Sequence, residues 1–219
     1  MIFSGKMVNK NEFIEIEYTA MIRENKEVFD TTNVEIARSN NIYGEDIAYK
    51  PAIVCVGQNH LIKGVDESFE SKNVGDSYKL ELKDEDAFGK KDAELIQFLT
   101  LESFREHNIM PVPGLHINID GGLGVVKVVS GGRVIVDFNH PLSGRDVIYE
   151  IKINRIVTDT NEKINALIKE LLPFDAKVEI KEGVLSISID SGFQGKINEE
   201  ELGEKIKELI PEIKEVKFI

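Results

Sequence analysis

Phe13-Ile14-Glu15-Ile16-Glu17-Tyr18, followed by the polar run Glu24-Asn25-Lys26-Glu27 and then by Val28-Phe29-Asp30-Thr31-Thr32, is the stretch whose reading decides the fold. Ile14 to Tyr18 alternates apolar and charged residues with a period of two, which is the pattern of a half-buried strand. The polar run reads as a turn, so a hairpin leads into Val28-Phe29-Asp30. Outward from it, residues 31–51 are mostly polar, with Asn40, Asn41 and Gly44 as breakers, and read as a long loop with one helical turn. Loops of that length inside a compact domain tend to be functional. Ile53-Val54-Cys55-Val56-Gly57 reads as a short buried strand, and Leu61-Ile62 opens a helical stretch holding Val65 and Phe69. Val74-Gly75-Asp76 makes a turn, after which Tyr78, Leu80 and Leu82 alternate with Lys79 and Glu81 as another strand.

A different texture begins near Lys91. The spacing predicts a strand over 95–99, a short helix over 101–107 capped by Thr100, and a hairpin of Val125–Val129 and Arg133–Asp137 turned at Gly131-Gly132. Gly121-Gly122-Leu123-Gly124 reads as a turn rather than a phosphate cradle, since valines and no Lys-Ser/Thr follow it. Val147–Ile156 alternates again and needs an existing sheet to join. Ile164, Leu167, Ile168, Leu171 and Leu172 then form one apolar stripe of a helix stopped by Pro173. Strands over 176–181 and 184–190 turn at Glu182-Gly183, a helix over 199–209 carries Asn198 and Glu201 at capping-box spacing, and 216–219 reads as a last strand.

At 219 residues the chain exceeds one comfortable core, so two or three small domains are expected. A net charge of -12 excludes nucleic-acid binding by phosphate neutralisation, which needs clustered Lys and Arg. No apolar run reaches the roughly 20 residues that cross a bilayer, so no membrane is expected as a partner. Met1–Lys6 lacks the apolar core of a secretory signal, and together with the single Cys55 this gives an expectation of the cytoplasm. A second methionine, Met7, leaves residues 1–6 as a dispensable extension or a start-site ambiguity. Cys55 in Ile-Val-Cys-Val reads as a small buried side chain rather than a nucleophile.

Hydrolase elbows, Walker loops, dinucleotide fingerprints and H-E-x-x-H helices are absent from the sequence. His60, His107, His116 and His140 lie far apart without ligand spacing and read as loop or surface histidines. No cofactor and no metal is called for.

What stands out is a series of aromatic and apolar residues beside loops: Tyr18, then Val28-Phe29-Asp30-Thr31-Thr32, then Leu61-Ile62-Lys63-Gly64-Val65-Asp66, Val74-Gly75-Asp76, Ala87-Phe88-Gly89, and Tyr149. In order and context this series resembles the FKBP-type peptidyl-prolyl cis-trans isomerases. The resemblance covers residues 13–91 and 142–157, and the middle is similar to the insert-in-flap domain of SlyD-like members, down to Phe138-Asn139-His140-Pro141-Leu142-Ser143-Gly144. It implies an FKBP-type antiparallel sheet wrapped on a short helix (1–91 and 142–157) and an inserted small mostly-β domain (92–141); with the C-terminal α-β-β-α-β domain read from the pattern of 158–219, the whole is expected to be an α+β protein.

The resemblance further implies a pocket lined by Tyr18, Phe29, Asp30, Leu61, Ile62, Val65, Phe88 and Tyr149, with the backbone amide of Ile62 bonded to a substrate carbonyl. Taken singly, Tyr18, Phe29 and Tyr149 read equally as core aromatics, and Asp30 as a turn carboxylate. The implied reaction is rotation about the amide before proline, with an uncatalysed barrier of roughly 18 to 20 kcal/mol. No bond is made or broken, so the site needs no nucleophile and must favour the twisted amide over the planar one. Two departures bear on strength: Phe88 stands where many members have Tyr, and Val65 where smaller drug-binding members have Trp. The implied partners are unfolded or partly folded polypeptides with X-Pro segments. In the insert, Ile96, Phe98, Leu99, Phe104, Ile109 and Met110 read either as a surface that holds such chains or as its own core. Residues 158–219 fit a homodimer contact or a monomeric appendage with blunted edges. A holdase without catalysis is the alternative reading of the whole chain.

Overall fold

The computed structural model describes residues 5–119, 121–189, 192 and 197–219. From the N-terminal side come β1 (Phe13–Ile22), β2 (Val28–Thr31), α1 (Val34–Ser39), β3 (Ala52–Cys55), α2 (Lys63–Ser68) and β4 (Ser77–Leu82). Then follow β5 (Ile96–Thr100), α3 (Leu101–Glu106), β6 (His116–Ile119), β7 (Gly122–Ser130) and β8 (Arg133–Asp137). The chain closes with β9 (Val147–Ile156), α4 (Thr160–Leu171), β10 (Lys177–Lys181), β11 (Val184–Ser188), α5 (Glu199–Leu209) and β12 (Glu215–Phe218). This is an α+β fold. It divides into two compact units, Met1–Leu82 with Val147–Ile219, and Lys83–Asp146.

In the first unit β1 organises a five-stranded antiparallel sheet. One of its edges carries β9 along nearly its whole length, while the other carries β3 at Phe13–Ile16 and β2 at Thr19–Met21; β4 flanks β9. Alternation puts Ile16, Ala20, Ile22, Tyr149 and Ile151 among the buried residues, as are Val65 and Phe69 beside and within α2. The long polar stretch after β2 holds a six-residue helix because Asn33 caps it, accepting from the N–H groups of Glu35 and Ile36.

Residues 158–219 are continuous with this unit through one apolar core. Ile164, Leu167, Ile168, Leu185, Ile187, Ile206 and Ile210 pack in a cluster that also contains Phe13, Cys55 and Val157. Arg155 on β9 ties the parts together, reaching Glu15 of β1 at 2.7 Å and Glu162 of α4 at 2.9 Å. Asp159 caps α4 and Asn198 caps α5, each accepting from an N–H three residues on. β10 and β11 form the expected hairpin, and β12 joins β11 in parallel. The strand expected to run on to Asp190 ends at Ser188, and Asp190 itself lies outside the described residues, as do residues 1–4 of the expected extension.

The second unit is a four-stranded sheet in the order β5-β8-β7-β6. Thr100 caps α3 by accepting from Ser103 N–H. Its core is Phe104, Ile117, Val126, Val134 and Val136. The strand β6 was not expected, and of the glycine run read as a turn Gly121 lies in the turn while Gly122 to Gly124 open β7. The physical reason is local: a Cβ on Gly124 would come within 2.7 Å of Phe138 Cε1 and Val136 Cγ1, so only glycine lets that ring lie on the strand. At the neck, Lys91 reaches Asp137 at 2.9 Å, and Asn139 both accepts from Asp92 N–H and donates to Asp92 O.

Candidate active site

The inner face of the sheet is organised about Ala20, which is fully buried. Ala20 pairs with Asp30 of β2 on one side and with Tyr149 of β9 on the other, so these two side chains share its face, and Tyr18 lies two residues back on the same face. Phe29 joins them through a bulge: Met21 pairs with Val28 and Ala20 with Asp30, which leaves Phe29 as an extra residue on β2. Its ring meets Tyr149 edge-on at 6.1 Å and 77°, and Tyr149 lies 6.0 Å from Tyr18. An arrangement of this kind adds about 0.5 to 1.5 kcal/mol per ring pair to simple burial.

The phenol of Tyr18 donates to Asp30 Oδ2 at 2.7 Å. Burial first, and the Asp30 charge second, hold both the Tyr18 and the Tyr149 phenols well above the usual tyrosine value. Both therefore remain neutral donors at physiological pH. Tyr18 is itself fixed by the two threonines after Asp30. Its N–H donates to Thr32 Oγ1 at 3.0 Å, while Thr31 and Thr32 hydroxyls donate to its carbonyl at 3.1 and 3.2 Å.

Leu61 and Ile62 are half-buried at the entrance to α2, with Ile62 at the N-cap. Among the described residues no acceptor takes the backbone N–H of Ile62. Asp66 is 4% exposed and receives the N–H groups of Gly57 and Asn59 at 2.9 and 2.8 Å, which folds the loop before Ile62 against α2. Sequence reading missed both this carboxylate and the threonine bracket. The D-T-T triplet and the acid one turn into a helix were visible, but their acceptors and donors are set by tertiary register. His60, read as an ordinary loop or surface histidine, is half-buried and accepts from Cys55 N–H at 3.2 Å through Nδ1.

Two expected contacts change. Val65 has no exposed surface, so its side chain backs the site instead of touching a substrate, and Phe104 is 4% exposed within the core of the second unit. Ile96 and Leu99 are half-buried there, whereas Phe98, Ile109 and Met110 are exposed. Phe88 belongs to the second unit, where its ring stacks on His140 at 4.9 Å and 2°. A cavity of about 800 Å³ in the first unit opens on the opposite side of the sheet, among Glu17, Thr19, Tyr49, Lys79, Glu150 and Lys152. Strand alternation places those charged side chains away from Ala20, although Tyr18 of the aromatic site also lines this cavity. Among the described residues no cluster of three His, Cys, Asp or Glu is arranged to hold a metal ion.

Residues 5–99 match the family described as FKBP-type peptidyl-prolyl cis-trans isomerase, and residues 97–142 match the FKBP26 IF domain. The short-type peptidyl-prolyl cis-trans isomerase of Methanocaldococcus jannaschii is 28% identical over 150 residues, spanning 68% of this chain and 94% of that protein. The FKBP-type 16 kDa peptidyl-prolyl cis-trans isomerase of Escherichia coli is 26% identical over 150 residues, spanning 67% and 95%. The FKBP-type isomerase SlyD of Aeromonas hydrophila is 28% identical over 153 residues, spanning 69% and 65%. Over residues 5–142 the chain thus matches an FKBP-type peptidyl-prolyl cis-trans isomerase together with its inserted domain. It is SlyD-like in carrying a match to the inserted domain.

Proposed function

We propose that the aromatic face around Ala20 is where the prolyl bond turns. Tyr18, Phe29, Asp30 and Tyr149 line it, and Leu61 and Ile62 border it, with the unpaired N–H of Ile62 as the donor to a substrate carbonyl. The observation that carries this reading is the convergence of three rings and one carboxylate on a single buried alanine from three different strands. A planar amide is the more charge-separated form and water stabilises it, so transfer to an apolar aromatic wall raises the planar ground state relative to the twisted one. Asp30 holds the Tyr18 hydroxyl in one orientation, and its charge stands where the carbonyl dipole changes as the bond rotates. Cleavage of a proline tetrapeptide by a protease selective for the trans isomer tests catalysis. With substoichiometric protein the rate rises in proportion to enzyme, whereas a holdase acts only at stoichiometric amounts.

The inserted unit supports holding of unfolded chains. Phe98 is 71% exposed, Leu123 74% and Met110 84%, an apolar surface unusual for so small a unit. A cavity of about 390 Å³ lies within the same unit between Leu99, Phe104, Ile109 and Ile117. Removing residues 92–141 behind a short linker leaves tetrapeptide turnover intact and slows proline-limited refolding of a protein; equal refolding rates refute the holding role.

Self-association through residues 158–219 is supported by two sheet edges, since among the described residues no strand pairs with the outer side of β10 or β12. A monomer mass by light scattering at micromolar protein ends that reading. No described helix is long and apolar enough to cross a membrane. A cytoplasmic setting is supported by the free Cys55 thiol, buried and pushed up to about 12 chiefly by that burial.

A further inference from the structure

Beyond backbone bonds at Val56 and Gln58, the loop from Cys55 to Ile62 is held by side chains. Cys55 ends β3, and its N–H donates to Nδ1 of His60 at 3.2 Å. Further along the loop, Gly57 and Asn59 give their N–H groups to the two oxygens of Asp66. Both residues stand at positive φ, +81° and +56°, a conformation glycine adopts freely and asparagine tolerates, so the loop can turn sharply here. Two residues beyond His60 is Ile62, whose N–H has no acceptor among the described residues.

An imidazole nitrogen that accepts an N–H carries no proton, so the His60 ring is neutral with its hydrogen on Nε2. Its surroundings enforce this. Burial lowers its affinity for a proton below the ordinary value, and Lys205 of α5 acts in the same direction, while Glu170 of α4 and Asp66 of α2 act against them. The apolar side of Cys55 is covered by the core that α4 and α5 share with β3, so residues 158–219 form part of the enclosure of this loop.

We infer that His60 is a positioning residue of the isomerase site: its neutral ring, together with Asp66, fixes the loop that ends in Leu61 and Ile62, and protonation of the ring releases it. This rests on the assignment of Ile62 to the substrate carbonyl. A cationic imidazole has no lone pair for the Cys55 N–H, so acidification costs the loop its His60 anchor and exchanges an attraction for two facing donors.

The test follows tetrapeptide isomerisation by the full chain from about pH 8 to about pH 5 for the wild type, His60→Asn and Phe29→Ala. An Asn Oδ1 occupies nearly the place of Nδ1, accepts the same N–H and does not titrate. The wild type holds a level kcat/KM at the upper end and loses it toward acid, approaching about tenfold per pH unit below the His60 transition. His60→Asn starts near the wild-type value and stays level across the range. Parallel profiles for the wild type and His60→Asn overturn the inference. Loss of activity in Phe29→Ala alongside those parallel profiles removes the inference alone; unchanged activity in Phe29→Ala removes the site assignment and this inference with it. If His60→Asn does not fold, nitrogen-15 spectra of the wild type decide. An unprotonated Nδ1 near neutral pH, with an Ile62 amide signal that moves as His60 titrates, supports the role, and a protonated Nδ1 or an unmoved Ile62 signal overturns it.

Discussion

Tyr18 and Asp30 lie on adjacent strands and meet through a 2.7 Å hydrogen bond from the phenol to the carboxylate, diagonally across Ala20. The bond orients two side chains that line the proposed pocket while leaving the carboxylate exposed to solvent at its outer edge. Because water can replace the phenol at that edge, the bond serves geometry more than stability.

Asp30→Ala therefore lowers kcat/KM on a proline tetrapeptide by about tenfold or more, equivalent to roughly 1.4 kcal/mol of lost transition-state stabilisation. The midpoint of denaturant unfolding changes little. A large loss of stability with unchanged turnover by the folded fraction would show a structural carboxylate instead.

Gly124→Ala should unsettle the inserted unit. The added methyl comes within 2.7 Å of the Phe138 ring and of the fully buried Val136, and overpacking of this kind costs about 1 to 3 kcal/mol. A thermal melt that shows a lower transition for residues 83–146, with tetrapeptide turnover retained, is the expected result.

Acid acts on the same unit through Asp137. Burial alone raises its pKa, but the Lys91 ammonium and the amide and N–H of Asn139 outweigh that and bring it from 3.8 to about 2. A carboxylate lowered on folding contributes stability that is complete above its ordinary value and is lost as the pH falls through the folded value. The inserted unit is therefore expected to lose stability between about pH 4 and about pH 2, and Asp137→Asn to lose that part of its pH dependence. Denaturation followed by circular dichroism at stepped pH measures both.

Phe98→Ser and Leu123→Ser change side chains that are 71% and 74% exposed, so each alters stability by no more than about 0.5 kcal/mol. Turnover of a tetrapeptide stays at the wild-type level, while catalysis of proline-limited protein refolding falls several-fold. Refolding rates equal to the wild type would remove these residues from the holding surface.

Much of this architecture is legible in the chain. The alternation at Ile14–Tyr18, Tyr78–Leu82 and Val147–Ile156 marks strands that share one sheet, because a period of two on a half-buried surface has few other solutions. Thr100 and Asn198 mark helix starts, since their side chains satisfy amides that nothing else reaches. The misses have physical reasons. Gly124 is a strand glycine made necessary by Phe138, fourteen residues beyond it, and the parallel pairing of β12 with β11 bridges a whole helix. Phe29 enters the site by a bulge, which alternation does not reveal. The order of Tyr18, Phe29, Asp30, Ile62 and Tyr149 identifies the residues, but only the register about Ala20 brings Tyr18, Phe29, Asp30 and Tyr149 onto one face.

The central claim, that an aromatic wall and not an acid-base pair turns the prolyl bond, is tested most directly by Phe29→Ala. Phe29 carries no polar atom on its side chain and meets Tyr149 edge-on, so its removal takes away apolar wall without removing an acid or a base. The measurement is kcat/KM for a proline tetrapeptide at substoichiometric enzyme, on protein shown to be folded. A fall of at least about tenfold, roughly 1.4 kcal/mol, is predicted. A value equal to that of the wild type would contradict the assignment of the site.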